Sequence, residues 1–172
     1  MTSAKTIKKL QKGFTLIELL VVIGILAILL AIVLIAINPA RQFAQANDTK
    51  RESDVHTILN AVNEFMADNA GTPPAGLTLA NCPTTAPCTV TSGANAVGNV
   101  NLCTATGLVT KYLADLPLDP TTGTKTYGAG TINCTGAGNT YATGYTIGIS
   151  ATDNRITVNA VGQITPAISV TR

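Results

Sequence analysis

The sequence predicts an α+β chain in which a long N-terminal helix, apolar at first and amphipathic later, precedes a small antiparallel β-sheet. Three observations carry this reading. Every residue from Leu19 to Ile37 is apolar or glycine, nineteen in a row, beyond the eighteen or so that suggest a membrane-crossing helix. Val55, Ile58, Leu59, Val62, Phe65 and Met66 recur at the spacing of one helical face. From Gly71 to Arg172 the chain holds 22 threonines and 13 glycines but only seven charged side chains, a composition of strands and turns.

The averages hide this division. The 172 residues are 46% hydrophobic, 12% charged and 4% aromatic, with a net charge of +2. These values exclude a charged disordered chain and give no electrostatic footprint for nucleic acid. Before the apolar run lie Lys5, Lys8, Lys9 and Lys12 and no acid, which keeps that end cytoplasmic and places everything after Ile37 outside. As a helix, Phe14 to Ile37 would be roughly 36 Å long, enough for a hydrocarbon core about 30 Å thick. An ordinary cleaved secretory signal fits less well. The run is too long, no small-x-small site closes it, and the first cysteine, Cys82, is too distant for a lipoprotein site.

Glu18 stands four residues into the apolar segment, where a carboxylate carries a large insertion cost unless it has a purpose. Around it, Lys12-Gly13-Phe14-Thr15-Leu16-Ile17-Glu18 sets a basic residue, a flexible glycine and a single acid at a fixed offset. This stretch resembles the class III signal peptide of the type IV pilin and pseudopilin family. The resemblance implies a pilin-like fold, a long helix packed on a small antiparallel sheet. It implies cleavage by prepilin peptidase between Gly13 and Phe14, N-methylation of Phe14, and an assembly role for Glu18, whose carboxylate would pair with a neighbour's new α-ammonium. The expected organisation is a cleaved basic leader (1–13), a transmembrane and assembly helix (14–38), an amphipathic helix (39–70) and a Thr/Gly-rich head (71–172). Loss of the leader would leave seven Lys+Arg against nine Asp+Glu.

Asn38-Pro39 should kink or break the helix, because proline removes one backbone hydrogen bond. Beyond it, residues 40–69 contain neither Gly nor Pro. Asp48 with Arg51, and Lys50 with Asp54, have the spacing of helical ion pairs, and a solvated face is the expected place for them. Asn69-Ala70-Gly71-Thr72-Pro73-Pro74 supplies the stop. In the head, residues 107–115 read as a short helix with Leu108, Val109, Tyr112 and Leu113 inward. YATGYTIGIS, RITVNA and QITPAISV read as three strands joined at Asp153-Asn154 and Val161-Gly162. They should form an antiparallel meander across the Val55–Met66 stripe.

Cys82, Cys88, Cys103 and Cys134 have no paired zinc spacing, and the one histidine, His56, is far off on the helix, so disulfides are expected. Of three connectivities, Cys82–Cys88 with Cys103–Cys134 is preferred because the first pair is local. Leu116-Pro117-Leu118-Asp119-Pro120 reads as a proline-fixed turn with Asp119 capping its own backbone. The resemblance also offers Asp119 and Asp153 as weak calcium candidates. The head has only three carboxylates, too few for the six to eight oxygens calcium takes, so no metal and no cofactor is expected. No nucleophile, base and orienting group coincide, which argues against an enzyme.

Three functions follow in order. The first is a prepilin, the structural subunit of a type IV pilus-like filament (a fimbrium) polymerised through its N-terminal helix. The second is a major pseudopilin of a type II secretion system. The third is a membrane-anchored monomeric binding domain whose Thr-rich head meets a surface or sugar. The partners implied are copies of itself in a helical homopolymer, prepilin peptidase, an inner-membrane assembly platform and membrane lipid. The precursor is expected in the inner membrane as a single-pass protein, and the product in an extracellular pilus or a periplasmic pseudopilus.

Overall fold

The computed structural model describes residues 13–103, 107–136 and 138–172. The leader lysines lie outside the described residues. The chain divides into two compact units at Arg41/Gln42.

The first unit is built on α1, Leu16–Ala36, which has apolar side chains on every side and none of them buried. It is long and apolar enough to cross a membrane. The helix ends at Ile37, whose N–H donates to the Val33 carbonyl at 3.0 Å. A new helix, α2, begins at Pro39 and runs to Asp68. The Asn38 side chain accepts the Arg41 N–H and so caps the start of α2, with proline at the first helical position, where a missing N–H costs nothing. The sequence pattern allowed a single kinked helix of some 55 residues; the backbone instead makes two separately capped helices.

The second unit packs α2 against a sheet. Six strands follow: β1 (Cys88–Thr91), β2 (Asn99–Val100), β3 (Thr124–Thr126), β4 (Thr140–Ile149), β5 (Ile156–Ala160) and β6 (Ile168–Thr171). Their order is β2-β1-β4-β5-β6, and β3 pairs with the first residues of β4. The meander β4-β5-β6 is antiparallel as expected, but β1 and β2 pair in parallel, so the sheet is mixed. The third strand is shorter than its alternation suggests. Gln163 to Ala167 lie outside the sheet, and the N–H groups of the first three serve another partner, described below.

Val55, Ile58, Leu59, Val62 and Phe65 are buried on α2, facing Val90, Tyr145, Ile147, Ile156 and Val158 from alternate positions of β1, β4 and β5. This is the stripe read from periodicity, with Ala61 added and Met66 at its margin. The segment 108–112 is not the regular helix expected. Val109 and Thr110 have non-helical backbone, with Thr110 at φ 89, so the stretch is an irregular turn that still buries Leu108 and Val109. β4 carries a bulge. Thr89 faces Thr146, while Thr91 already faces Ala142. Gly144 sits in that bulge at φ +84, where a Cβ would fall 2.7 Å from Asp119 Cβ, so only glycine fits.

Candidate functional site

At the start of α1, Thr15 stands just outside the helix with extended backbone. Its Oγ1 accepts the Glu18 N–H at 3.3 Å, and Glu18 Oε2 accepts both the Thr15 N–H at 2.8 Å and the Thr15 hydroxyl at 2.7 Å. This is a reciprocal capping box, and it satisfies helix-end donors that would otherwise be orphaned. The T-x-x-E signal was legible at Thr15 to Glu18, although sequence reasoning looked only for a role of Glu18 between subunits. Gly13 is open, with no atom within 4 Å of where a Cβ would stand, and Phe14 is 92% exposed. An accessible peptide bond, a carboxylate held at the start of its own helix and an apolar surface therefore follow one another from Gly13 to the end of α1.

In the second unit, three of the four charges expected on a solvated face are buried, and Lys50 alone of the four is exposed. Arg51 is 1% exposed, and Asp48 and Asp54 are also buried. The ion pairs read from spacing do form, Arg51 Nη1 to Asp48 Oδ1 at 2.8 Å and Lys50 Nζ to Asp54 Oδ2 at 2.6 Å. The correction concerns where they point. Positions 48, 51, 55, 58 and 62 continue one helical stripe, so Asp48 and Arg51 fall on the face that meets the head.

There Arg51 holds one loop directly and meets Asp48, which holds a second. Its Nε donates to Asp119 Oδ2, and its Nη2 to Asp119 Oδ1 at 3.1 Å and to Thr121 Oγ1 at 2.6 Å. Asp119 in turn accepts the Thr121 and Thr122 N–H groups, both at 2.8 Å, so the turn capping expected of it is present alongside the Arg51 pair. On the other side Asp48 accepts the N–H groups of Gln163, Ile164 and Thr165 at 2.7, 2.8 and 3.0 Å. These bonds hold residues 163–165 out of the sheet. Asp54 accepts from the Tyr145 hydroxyl at 2.7 Å as well as from Lys50.

These contacts set the charge states. Backbone donors, with Arg51 added, hold the Asp48 carboxyl well below the usual range. Burial pushes Asp119 up, but Arg51 and the two turn N–H groups outweigh it and hold that carboxyl low too. Burial, followed by the Asp54 carboxylate, raises the Tyr145 phenol. Asp119 is thus already neutralised by a guanidinium, while Asp153 lies in the β4–β5 turn, where it accepts the Arg155 N–H at 3.3 Å; the two calcium candidates are not brought together. His56 is exposed on α2.

Two disulfides close within the head, Cys82–Cys88 and Cys103–Cys134. The first ties the loop before β1 to the first residue of β1, and backbone bonds hold the same loop to the end of β4, where the Thr84 N–H donates to the Ile149 carbonyl at 3.0 Å.

Residues 8–34 match the family model of the prokaryotic N-terminal methylation motif. Comparison with curated proteins and with solved structures gave no match. The matched stretch covers Gly13, Phe14, the capping box and most of α1. The motif points to a structural protein rather than an enzyme. With its apolar N-terminal helix and α+β, pilin-like head, the chain carries the N-terminal methylation motif in a form consistent with the type IV pilin and pseudopilin class.

Proposed function

We propose that this chain is the precursor of a structural subunit of a type IV pilus-like filament. Prepilin peptidase hydrolyses the Gly13–Phe14 amide, removing the leader 1–13, and the freed Phe14 amine is methylated. The subunit waits in the membrane on α1 and is then drawn by the assembly platform into a helical homopolymer. The observation that carries this reading is the methylation motif over residues 8–34, with Glu18 as the one acid in the apolar helix. Polymerisation replaces lipid by neighbouring apolar helices around α1, leaving its backbone bonds internal. Glu18 supplies register, because a buried carboxylate is tolerated only where a cation such as a neighbour's α-ammonium reaches it.

Mass spectrometry of the product tests the processing step. A methylated Phe14 at the N-terminus is expected, and an intact leader on the assembled protein refutes it. Glu18→Ala is expected to be cleaved and inserted but to yield few filaments by negative-stain microscopy, and filament yield equal to the parent chain would remove Glu18 from assembly. Long surface filaments are expected; short assemblies confined to the periplasm would instead make the chain a type II secretion pseudopilin.

A further inference from the structure

On β1, Thr89 and Thr91 alternate with buried Cys88 and Val90, so they project from the sheet face turned away from the core. Beside them a hollow of about 470 Å³ opens at the β4 bulge, walled by Thr89, Thr91, Asn99 and Thr122, with Gly144 contributing bare backbone. None of its lining residues is charged.

The hydrogen-bond inventory of the hollow is sorted in advance. The Thr89 hydroxyl donates to Asn99 Oδ1 at 2.6 Å, and the Thr91 hydroxyl to the Tyr141 carbonyl at 2.9 Å. Their protons are committed, and both oxygens keep lone pairs as acceptors. Asn99 Oδ1 is taken by Thr89, which turns Nδ2 outward as a donor, and among the described residues neither Nδ2 nor the Thr122 hydroxyl has a partner. The register extends this surface. Asn99, Thr89, Thr146, Asn159 and Ser169 are successive Cα partners across β2, β1, β4, β5 and β6, an uncharged row of amides and hydroxyls running the width of the sheet.

We infer that the hollow and this row form a binding site for a neutral saccharide chain. A ligand here must donate to the Thr89 and Thr91 oxygens and accept from Asn99 and Thr122 without charge, which is the chemistry of the diols along a sugar. An anion finds no cation in the hollow, and a cation finds no carboxylate. The row leading out of it favours an extended oligosaccharide over a single ring. Because the site is shallow and its bonds are between neutral groups, a dissociation constant on the order of 1 mM is expected for one copy. A filament presenting many copies would raise the apparent affinity through multivalency.

The test uses the full chain, labelled with nitrogen-15, in a phosphocholine detergent that carries no sugar headgroup. Maltotetraose, cellotetraose and tetra-N-acetylchitotetraose are titrated in turn. Saturable amide shifts centred on Thr89, Thr91, Asn99, Thr122 and Gly144 with at least one of them are expected. Asn99→Ala with Thr122→Val removes two hydrogen bonds and is expected to weaken binding about tenfold, with thermal unfolding and the remaining amide spectrum unchanged. No saturable shift with any of the three up to about 20 mM, far above the expected constant, overturns the inference. So do shifts centred elsewhere, or binding that the double variant leaves intact. None of these outcomes depends on whether the chain polymerises.

Discussion

Replacing Arg51 by methionine keeps an unbranched stem of similar length and removes the guanidinium that joins α2 to the Asp119–Thr121 loop and to Asp48. Four hydrogen bonds are lost, two to Asp119, one to Asp48 and one to Thr121. The two carboxylates are left facing one another without the cation between them. Breaking a buried ion pair by removing one partner costs about 3–5 kcal/mol. Asp119 keeps the Thr121 hydroxyl and two turn N–H groups, and Asp48 keeps three loop N–H groups. The lower end, about 3 kcal/mol, is therefore the expected loss. For the unit Gln42–Arg172 this corresponds to a fall in Tm of about 10 °C. The assay is thermal unfolding of the full chain in detergent micelles with disulfides oxidised, followed by near-ultraviolet circular dichroism of the tyrosines. That signal reports the head, and the apolar helix contributes nothing to it. A Tm within about 3 °C of the parent, or above it, would refute the claim that Arg51 ties the helix to the Asp119–Thr121 loop.

Acid should undo the same network. The Asp48 and Asp119 carboxyls are depressed in the folded state, so their stabilisation is complete above the unfolded value near 3.9 and drains away as pH falls below about 5. Tm measured from pH 7 to pH 2 should drop over that limb, less steeply in Arg51→Met, and a flat profile would contradict the linkage. Alkali acts through the phenols. Burial raises Tyr127, Tyr141 and Tyr145, with Tyr141 pushed up to about 12, so stability holds below about pH 10 and falls as pH rises from there toward 12. Absorbance at 295 nm should show their tyrosinates appearing together with loss of the sheet, and a smooth titration near 10 with the fold intact would count against it. Removing Cys103–Cys134 opens a separation of 31 residues and removing Cys82–Cys88 one of 6, so chain entropy alone gives losses of roughly 3.7 and roughly 2.2 kcal/mol. Denaturant unfolding of Cys103→Ala/Cys134→Ala and Cys82→Ala/Cys88→Ala should preserve that order, and the reverse order would show that loop closure is not what these bonds supply.

The parts of the fold legible in the sequence are those written in a single period. The nineteen-residue apolar run, the Val55–Phe65 stripe and the alternation of β4 and β5 each announce an element and its buried side. What escaped was written in two places at once. Asp48 and Arg51 look like a surface pair until Asp119 and the backbone at 163–165, more than sixty residues away, are brought to them. Their position on the apolar stripe was the available clue, but charge outweighed periodicity. β1, β2 and β3 have two to four residues each, too short to alternate convincingly. The stretch 108–112 has helical spacing of apolar residues, yet Gly107 at φ 86 and Thr110 at φ 89 turn it aside, and both Leu108 and Val109 are still buried. At the N-terminal site, Glu18 stood out by being alone among apolar residues, whereas its bond to Thr15 was visible only as a helix-capping pattern.

The join at Asn38-Pro39 has a mechanical consequence. The ladder of α1 closes at Ile37 on Val33, and that of α2 opens on the Asn38 side chain with a residue that has no N–H to give. No α-helical bond from the first turn of α2 is borrowed from the last turn of α1. Unwinding can therefore travel along α1 and stop at residue 38 as a fire stops at a cleared strip, while the Asp48–Arg51–Asp119 clasp holds the other side. A chain pulled by its apolar end can lengthen by roughly 1.8 Å for each residue of α1 that goes from helical rise to extended reach, without loosening the head it carries.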